Sequence, residues 1–184
     1  MPVSAPPPDL GKACPDFSLP SVDGGRFRRD DFAGAPAFLV VFTCNHCPYA
    51  KAVEDRIIAL ARAYPREKLQ VVFVCANDAV AYPDDAPAKL LERWQAKEMP
   101  FSYLYDESQS TARAFGAVCT PDYFLYDKER KLRYRGRLDD NWKEPTQVTR
   151  QELREAIDAL LAGSLPSAAQ NPSMGCSIKW RMEV

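Results

Sequence analysis

The chain has 184 residues, of which 24 are basic and 25 acidic, and its formal net charge is −1. This length is typical of one domain, and the near-neutral charge argues against the strongly basic surface of nucleic-acid-binding proteins. Six cysteines and a single histidine stand out in an otherwise ordinary globular composition. One histidine excludes His-rich zinc sites and most metallohydrolase arrangements.

The sequence shows no sign of membrane insertion or export. No stretch approaches the roughly 20 apolar residues of a membrane span, and residues 1–10 lack the basic region and apolar run of a secretory signal. We therefore expect a cytoplasmic protein that binds no membrane and no nucleic acid. In a reducing cytosol, a close pair of cysteines is more often catalytic or metal-binding than structural.

The chain divides into three segments. Residues 1–10 are rich in proline, which disfavours regular structure, so we expect a flexible arm there. Residues 11–163 carry the periodic apolar patterns of one domain, and no second core or internal repeat is visible. Residues 164–184 form a tail with no clear periodicity, which we expect to pack on the domain through a few apolar residues.

In chain order, the apolar patterns predict a short hairpin, two buried strands with a helix between them, two further helices, a second hairpin and a last amphipathic helix. The hairpins cover residues 17–28 and 123–135, the buried strands 37–42 and 69–75, and the helices 45–64, 86–97, 108–115 and 151–161. This order predicts an α/β fold with a mixed central sheet flanked by helices. Its first two buried strands are expected to pair in parallel through a right-handed crossover.

The motif Cys44-Asn45-His46-Cys47-Pro48 lies where a buried strand ends and a helix begins. Two cysteines at this spacing are close enough to form a small disulfide ring, and the helix N-terminus favours the thiolate form. We expect Cys44 to be the more exposed, attacking sulfur and Cys47 to be the deeper, resolving one. The only histidine of the chain lies between them, where its partial charge is expected to stabilise the Cys44 thiolate and make the pair more oxidising.

A metal site is the structural alternative for this motif. Zinc usually takes four ligands from two such cysteine pairs, whereas this chain has one pair. Cys119, Cys176 and His46 are the residues left to complete such a site. The strand-to-helix position of the motif favours redox chemistry instead.

Thr120 and Pro121 lie just before a later apolar strand, where the bond preceding a proline is sometimes cis. Together with the cysteine motif, this dipeptide resembles the thioredoxin-like superfamily and, within it, the peroxiredoxin-like redoxins. The resemblance is carried by residues 15–20 (PDFSLP), 23–24 (DG), 31–34 (DFAG), 44–49 (CNHCPY), 103–106 (YLYD), 119–122 (CTPD), 134–140 (YRGRLDD) and 174–180 (MGCSIKW). It implies a thioredoxin fold over residues 11–163, in which Pro121 is cis and faces the cysteine pair beside the substrate groove.

The resemblance also tests for peroxidase activity. Peroxiredoxins have a proline and a threonine seven and three residues before the peroxidatic cysteine, and an arginine later in the chain. Counted back from Cys47, these positions are Val40 and Cys44, and the segment at Thr120 takes the place of the arginine. Without these hydrogen-bond donors, peroxide reduction is expected to be weak at most.

Cysteines, acidic pairs and arginines outside the motif give further predictions. Cys119 and Cys176 are candidates for a third redox or metal-binding thiol, Cys119 because it precedes the proline and Cys176 because the apolar tail carries it. The adjacent acidic pairs at residues 84–85 and 139–140 are expected to be solvated loop residues. The alternating arginines at 133, 135 and 137 are expected to mark an exposed strand edge.

These observations favour a thiol–disulfide oxidoreductase that acts through Cys44 and Cys47, with His46, Thr120 and Pro121 as the other site residues. The expected partners are a disulfide-containing protein or small-thiol substrate and an electron-donor reductase, and no cofactor or metal is predicted. The alternatives are a thiol protein that binds Zn²⁺ or Cu(I) and a weak thiol peroxidase.

Overall fold

The computed structural model describes residues 2–182, which contain three β-sheets and four α-helices. The strands are β1 (Pro2–Ser4), β2 (Ser18–Pro20), β3 (Arg26–Arg28), β4 (Ala37–Phe42), β5 (Leu69–Cys75), β6 (Ser102–Tyr105), β7 (Cys119–Thr120), β8 (Asp122–Tyr126), β9 (Leu132–Tyr134) and β10 (Met174–Ser177). The helices are α1 (Pro48–Arg62), α2 (Pro87–Ala96), α3 (Ser110–Phe115) and α4 (Glu152–Leu161).

The central sheet has the strand order β6-β5-β4-β8-β9. Strands β4 and β5 pair in parallel, as predicted, and β6 extends the parallel part of the sheet. Strands β8 and β9 are antiparallel and form the other edge. The mixed sheet is therefore confirmed. Strand β6 was not predicted, since its four residues are too few to show a strand pattern.

Both faces of the central sheet are buried, which explains the uninterrupted apolar run of β4. Successive side chains of a strand point to opposite faces. Leu39 and Val41 belong to the core cluster that includes residues of α1 and α4, whereas Phe38 and Phe42 belong to the cluster that includes Phe115 of α3. None of the helices within residues 2–182 combines the length and apolar character that a membrane crossing needs.

A second sheet, of three antiparallel strands, joins the two ends of the chain to β7 in the order β1-β10-β7. The flexible arm expected over residues 1–10 is thus wrong for Pro2–Ser4, which pairs with β10. The Ala5 amide continues this pairing by donating to the Ser173 carbonyl at 2.9 Å. Such backbone hydrogen bonds need no apolar side-chain pattern, so the prolines of this segment concealed them.

The tail is anchored to the domain by a buried polar group. Ser173 Oγ donates to Asp122 Oδ1 at 3.0 Å, and Arg135 donates to the other carboxylate oxygen at 2.8 Å. Arg135 is buried, so the exposed edge expected for it is wrong. The paired carboxylate and guanidinium compensate each other's burial and hold the tail beside β8.

Candidate functional site

The cysteine motif occupies the turn between β4 and α1. Cys47 is the N-cap residue of the helix, with φ −75° and ψ 122°, and Pro48 begins the first turn. Proline suits this position because the first amide of a helix has no intrahelical acceptor. The arrangement places the sulfur of Cys47 at the end of α1 where the helix dipole favours negative charge.

Both sulfurs lie against Thr120. Cys44 Sγ is 3.3 Å from Thr120 Oγ1, and Cys47 Sγ donates to the Thr120 carbonyl at 3.1 Å. The peptide bond between Thr120 and Pro121 is cis. The structure therefore brings together four of the five predicted site residues, from segments more than 70 positions apart in the sequence.

Both cysteines of the pair are buried, and Cys44 is the more exposed by a small margin. Cys44 is 2% exposed and Cys47 is fully buried, so neither sulfur is open to a large partner in this arrangement. A hydrogen bond with the Cys44 thiol lowers the pKa of Cys47. The same hydrogen bond, burial and the charge of Asp85 raise the pKa of Cys44. These opposite shifts favour the proton on Cys44 and the thiolate on Cys47 when the pair loses one proton.

A buried carboxylate lies beside the pair. Asp85 ends the 3₁₀ turn Pro83–Asp85 and is fully buried. Its Oδ1 accepts from the amides of Asn45 and His46 at 2.7 and 3.3 Å, and Asn77 Nδ2 donates to its Oδ2 at 2.9 Å. The solvated acidic pair expected at residues 84–85 is thus wrong for Asp85. The sequence offered no indication of this, since the carboxylate is buried by contacts with segments far away in the chain.

His46 faces this carboxylate. Its Nδ1 lies 2.5 Å from Asp85 Oδ2, and its ring stacks on Tyr82 with the centroids 5.0 Å apart. The histidine is thus fixed by two neighbours from the segment before α2. The effect of His46 on the Cys44 thiolate stays a prediction. The polar contact that the structure shows for the imidazole is with Asp85 and not with a sulfur.

Three residues of the site form a group of potential metal ligands. Single ligand atoms of Cys44, His46 and Asp85 lie within 4.8 Å of one another. Both oxygens of Asp85 already accept hydrogen bonds, two from amides and two from side chains. A metal ion would have to displace these donors, which the redox chemistry does not require.

The two candidates for a third thiol are separated by the structure. Cys176 packs against the core cluster that contains Cys44 and Cys47, and burial and a hydrogen bond with Cys47 raise the pKa of Cys176 to about 11. Cys119 is fully buried outside both core clusters, with its Sγ 3.8 Å from the Pro121 carbonyl. Burial raises the pKa of Cys119 to about 12. Cys176 is therefore the cysteine that the fold adds to the pair.

A cavity of about 300 Å³ adjoins Pro121. Its walls include Tyr49 and Trp142, whose rings lie 4.2 Å apart between centroids, and the buried Tyr123, whose hydroxyl has no hydrogen-bond partner among the described residues. Asp139 also lines the cavity. Its buried carboxylate forms an ion pair with Arg56, with Oδ2 2.5 Å from Nη1. The solvated pair expected at residues 139–140 is thus wrong for Asp139.

Comparison with known proteins identifies the family. The family model described as AhpC/TSA matches residues 10–135, more than half of the chain. The chain belongs to the AhpC/TSA family. Thiol-disulfide oxidoreductase ResA of Bacillus thuringiensis is 23% identical over 124 residues, which are 67% of each chain. The family resemblance stated from the sequence is confirmed.

Solved structures of similar proteins agree with this assignment. An uncharacterized conserved protein from Geobacillus kaustophilus is 39% identical, has a TM-score of 0.93 and covers 100% of this chain and 98% of its own. A hypothetical protein from Sinorhizobium meliloti has the same identity and TM-score, over 98% and 99% of the two chains. A thiol:disulfide interchange protein of the thioredoxin family from Chlorobium tepidum has a TM-score of 0.58 at 17% identity, over 68% and 84%. This AhpC/TSA protein therefore has a thioredoxin fold and is homologous to thiol–disulfide oxidoreductases.

Proposed function

We propose that this AhpC/TSA protein is a thiol–disulfide oxidoreductase that exchanges disulfides through Cys44 and Cys47. The observation that carries the proposal is the contact of both thiols with Thr120, beside the cis Pro121 and at the start of α1. Thiolate formation at this helix end is favoured, and a second thiol lies next to it. These are the requirements for forming a mixed disulfide and resolving it.

The proposed reaction has two steps. A thiolate of the pair attacks the disulfide of a substrate, forms a mixed disulfide and releases one substrate thiolate. The second sulfur of the pair then attacks the mixed disulfide and releases the other substrate thiolate. The substrate gains two electrons, and the pair becomes the Cys44–Cys47 disulfide, which a dithiol or a donor reductase reduces again.

The surroundings of the pair support this chemistry. The Thr120 hydroxyl is placed to donate to Cys44 when that sulfur becomes a thiolate. The cavity beside Pro121 offers the aromatic rings of Tyr49 and Trp142 to an apolar group of a partner chain. A disulfide-containing protein or small-thiol substrate, a donor reductase and a cytoplasmic location stay predictions.

The direct test is disulfide reduction with single variants. Insulin, as a protein disulfide, is mixed with dithiothreitol and the protein, and the rate above the uncatalysed rate is measured. We expect Cys47→Ser to remove this catalysis, because Cys44 then has lost its partner, and the double variant Cys44→Ser, Cys176→Ser to remove it as well, because Cys47 then has no neighbouring sulfur to resolve the mixed disulfide. Cys14→Ala is the matched control, since Cys14 belongs to the other core cluster. Catalysis retained by Cys47→Ser would overturn the proposal.

Metal binding is the second candidate, because Cys44, His46 and Asp85 form a compact group. If this group holds Zn²⁺ or Cu(I), the purified protein contains one equivalent that survives dialysis, and His46→Gln removes it. The redox proposal expects metal-free protein with a reducible bond between Cys44 and Cys47. Elemental analysis of freshly prepared protein separates the two functions.

A further inference from the structure

Three sulfurs converge on Thr120. Cys44 Sγ contacts its hydroxyl and Cys47 Sγ donates to its carbonyl. Cys176 lies directly opposite Thr120 in the antiparallel pairing of β10 with β7. Directly opposed residues of such a pair have their side chains on the same face of the sheet. Cys176 therefore lies on the face where the Thr120 side chain meets Cys44.

The same register keeps Cys119 apart. Cys119 is opposite Ser177, one position along the pairing, so its side chain points to the other face of this sheet. The strand register thus places Cys176, and not Cys119, on the face that carries the pair, where it packs against the core cluster that contains Cys44 and Cys47.

Strand β10 covers the edge of β7 beside the buried pair. Cys44 is 2% exposed and Cys47 is fully buried, whereas Cys176 is only partly buried. Gly175 holds β10 against the site, because a Cβ atom at this position would lie 1.9 Å from the Thr120 carbonyl oxygen. The edge of β7 beside Pro121 is therefore occupied by β10 of the chain itself, and Cys176 is the most exposed of the three cysteines at this place.

We propose that Cys176 is a third redox thiol, which forms a disulfide with Cys47 and so carries oxidising equivalents between the buried Cys44–Cys47 pair and outside thiols. This inference rests on the proposed function, because it needs a pair that forms a disulfide. The outside reactant is a low-molecular-weight thiol or a protein thiol.

The exchange within the protein conserves electrons. The Cys176 thiolate attacks Cys47 Sγ in the Cys44–Cys47 disulfide, and Cys44 leaves as a thiolate. The Cys47–Cys176 bond replaces the Cys44–Cys47 bond, and Cys44 takes up the proton that Cys176 gave up. The Thr120 hydroxyl, 3.3 Å from Cys44 Sγ, donates to the leaving sulfur.

Outside thiols then complete the reduction. The thiolate of one outside thiol attacks Cys176 Sγ, forms a mixed disulfide and releases Cys47 as a thiolate. A second outside thiolate attacks the outside sulfur of this mixed disulfide and releases Cys176. Two outside thiols have then become one disulfide, and the pair has gained two electrons. The lowered pKa of Cys47, due first to its hydrogen bond with Cys44, makes it a good leaving group.

The first test traps the new disulfide. The Cys44→Ala variant is treated with oxidised glutathione, and its disulfides are mapped by mass spectrometry. We expect a Cys47–Cys176 bond with release of two glutathione molecules. A protein that retains glutathione without this bond, or that links Cys47 to Cys119, would overturn the proposal.

The second test measures the relay in the intact pair. Protein with a Cys44–Cys47 disulfide is mixed with reduced glutathione, and the rate of reduction is followed by acid quenching and alkylation. We expect Cys176→Ser to be slower by about tenfold, because access and proximity of the relay sulfur are lost. Ser177→Ala, in the same strand, is the matched control and should keep the original rate.

The outcomes separate this inference from the proposed function. An unchanged or faster rate in Cys176→Ser would show that β10 is only a cover, even where the natural chain reduces insulin with dithiothreitol. A natural chain that forms no Cys44–Cys47 disulfide would overturn the proposed function itself. Unfolding curves of Cys176→Ser that match those of the natural chain ensure that a lost fold is not mistaken for a lost relay.

Discussion

Two regions of different character meet at the Cys44–Cys47 pair. The turn before α2 contributes the fully buried carboxylate of Asp85, which is in contact with the imidazole of His46. The β7–β10 edge contributes only uncharged groups, namely the hydroxyl and carbonyl of Thr120 and the thiol of Cys176. On one side, charged and ionisable groups act on the pair. On the other side, the pairing of two strands positions uncharged groups against it.

This difference predicts separate effects of substitution. The charge of Asp85 adds to the hydrogen bond and burial that raise the pKa of Cys44, so it opposes a thiolate there. Changes on the Asp85 side should therefore alter stability and reduction potential. Changes on the β10 side should alter how fast outside molecules react with the pair.

The largest effect is expected for Asp85→Asn. Two backbone amides and two side chains donate to this carboxylate, and an asparagine presents a donor where some of them need an acceptor. We expect the free energy of unfolding to fall by about 3 kcal/mol, the cost typical of a broken buried polar network. Urea unfolding of the reduced protein measures this change.

The neighbouring residue provides the control for this comparison. Asp84 is exposed, so Asp84→Asn removes the same charge without opening a buried site. Its unfolding curve should match that of the natural chain. If the two variants unfold alike, the carboxylate of Asp85 does not hold the turn.

The next effect concerns Gly175→Ala on the other side. The added Cβ cannot fit against the Thr120 carbonyl, so β10 has to move away from β7. We expect a loss of about 2 kcal/mol in the free energy of unfolding, as for overpacking, together with faster alkylation of Cys44 and Cys47 by a maleimide. Gly34→Ala is the control, because its nearest neighbour would lie 3.9 Å away. Alkylation that is no faster in Gly175→Ala would mean that β10 does not cover the pair.

The sequence predicted best what is local. The junction of β4 and α1 is contiguous, and the apolar run of residues 37–42 followed by helical spacing indicates both elements and the position of the cysteine motif between them. The fold class follows from the same patterns, since each buried strand and amphipathic helix can be found separately.

What the sequence could not give depends on distant contacts. Asp85 is buried by residues from other segments, and nothing in its neighbours distinguishes it from the exposed Asp84. The pairing of β1 with β10 uses backbone groups, which every residue has. The choice between Cys119 and Cys176 depends on a register of one residue, which reverses the face on which a side chain lies.

A smaller effect concerns the pH dependence of the reduced pair. The hydrogen bond with Cys44 lowers the pKa of Cys47, while an unfolded chain has a cysteine pKa of about 8.5. At pH values between the lowered pKa of folded Cys47 and the pKa of an unfolded cysteine, the folded protein carries a thiolate and the unfolded chain carries a protonated thiol. The reduced protein should therefore gain stability as pH rises towards the unfolded value, and lose it as pH falls through the lowered pKa.

Thiolate absorbance and urea unfolding at several pH values check this expectation. Cys44→Ala removes the hydrogen bond, so the thiolate should appear at higher pH in this variant. The oxidised protein is the control, because its pair has no proton to exchange. A reduced protein without thiolate absorbance at neutral pH would contradict the assignment of the charge to Cys47.

The smallest effect is expected for His46→Gln, and it tests how the two sides of the pair are linked. If the imidazole offsets the charge of Asp85 beside Cys44, its loss makes the thiolate less stable and lowers the reduction potential by about 30 mV, which corresponds to about 1.4 kcal/mol. The same substitution in Asp85→Asn should change the potential much less, since the charge that the histidine offsets is gone. Tyr82→Leu removes the ring that stacks on His46 but no charge, so it should leave the potential unchanged. Equal shifts in both backgrounds would mean that His46 acts on the sulfur directly, as the sequence alone suggested, and that Asp85 serves only to hold the turn.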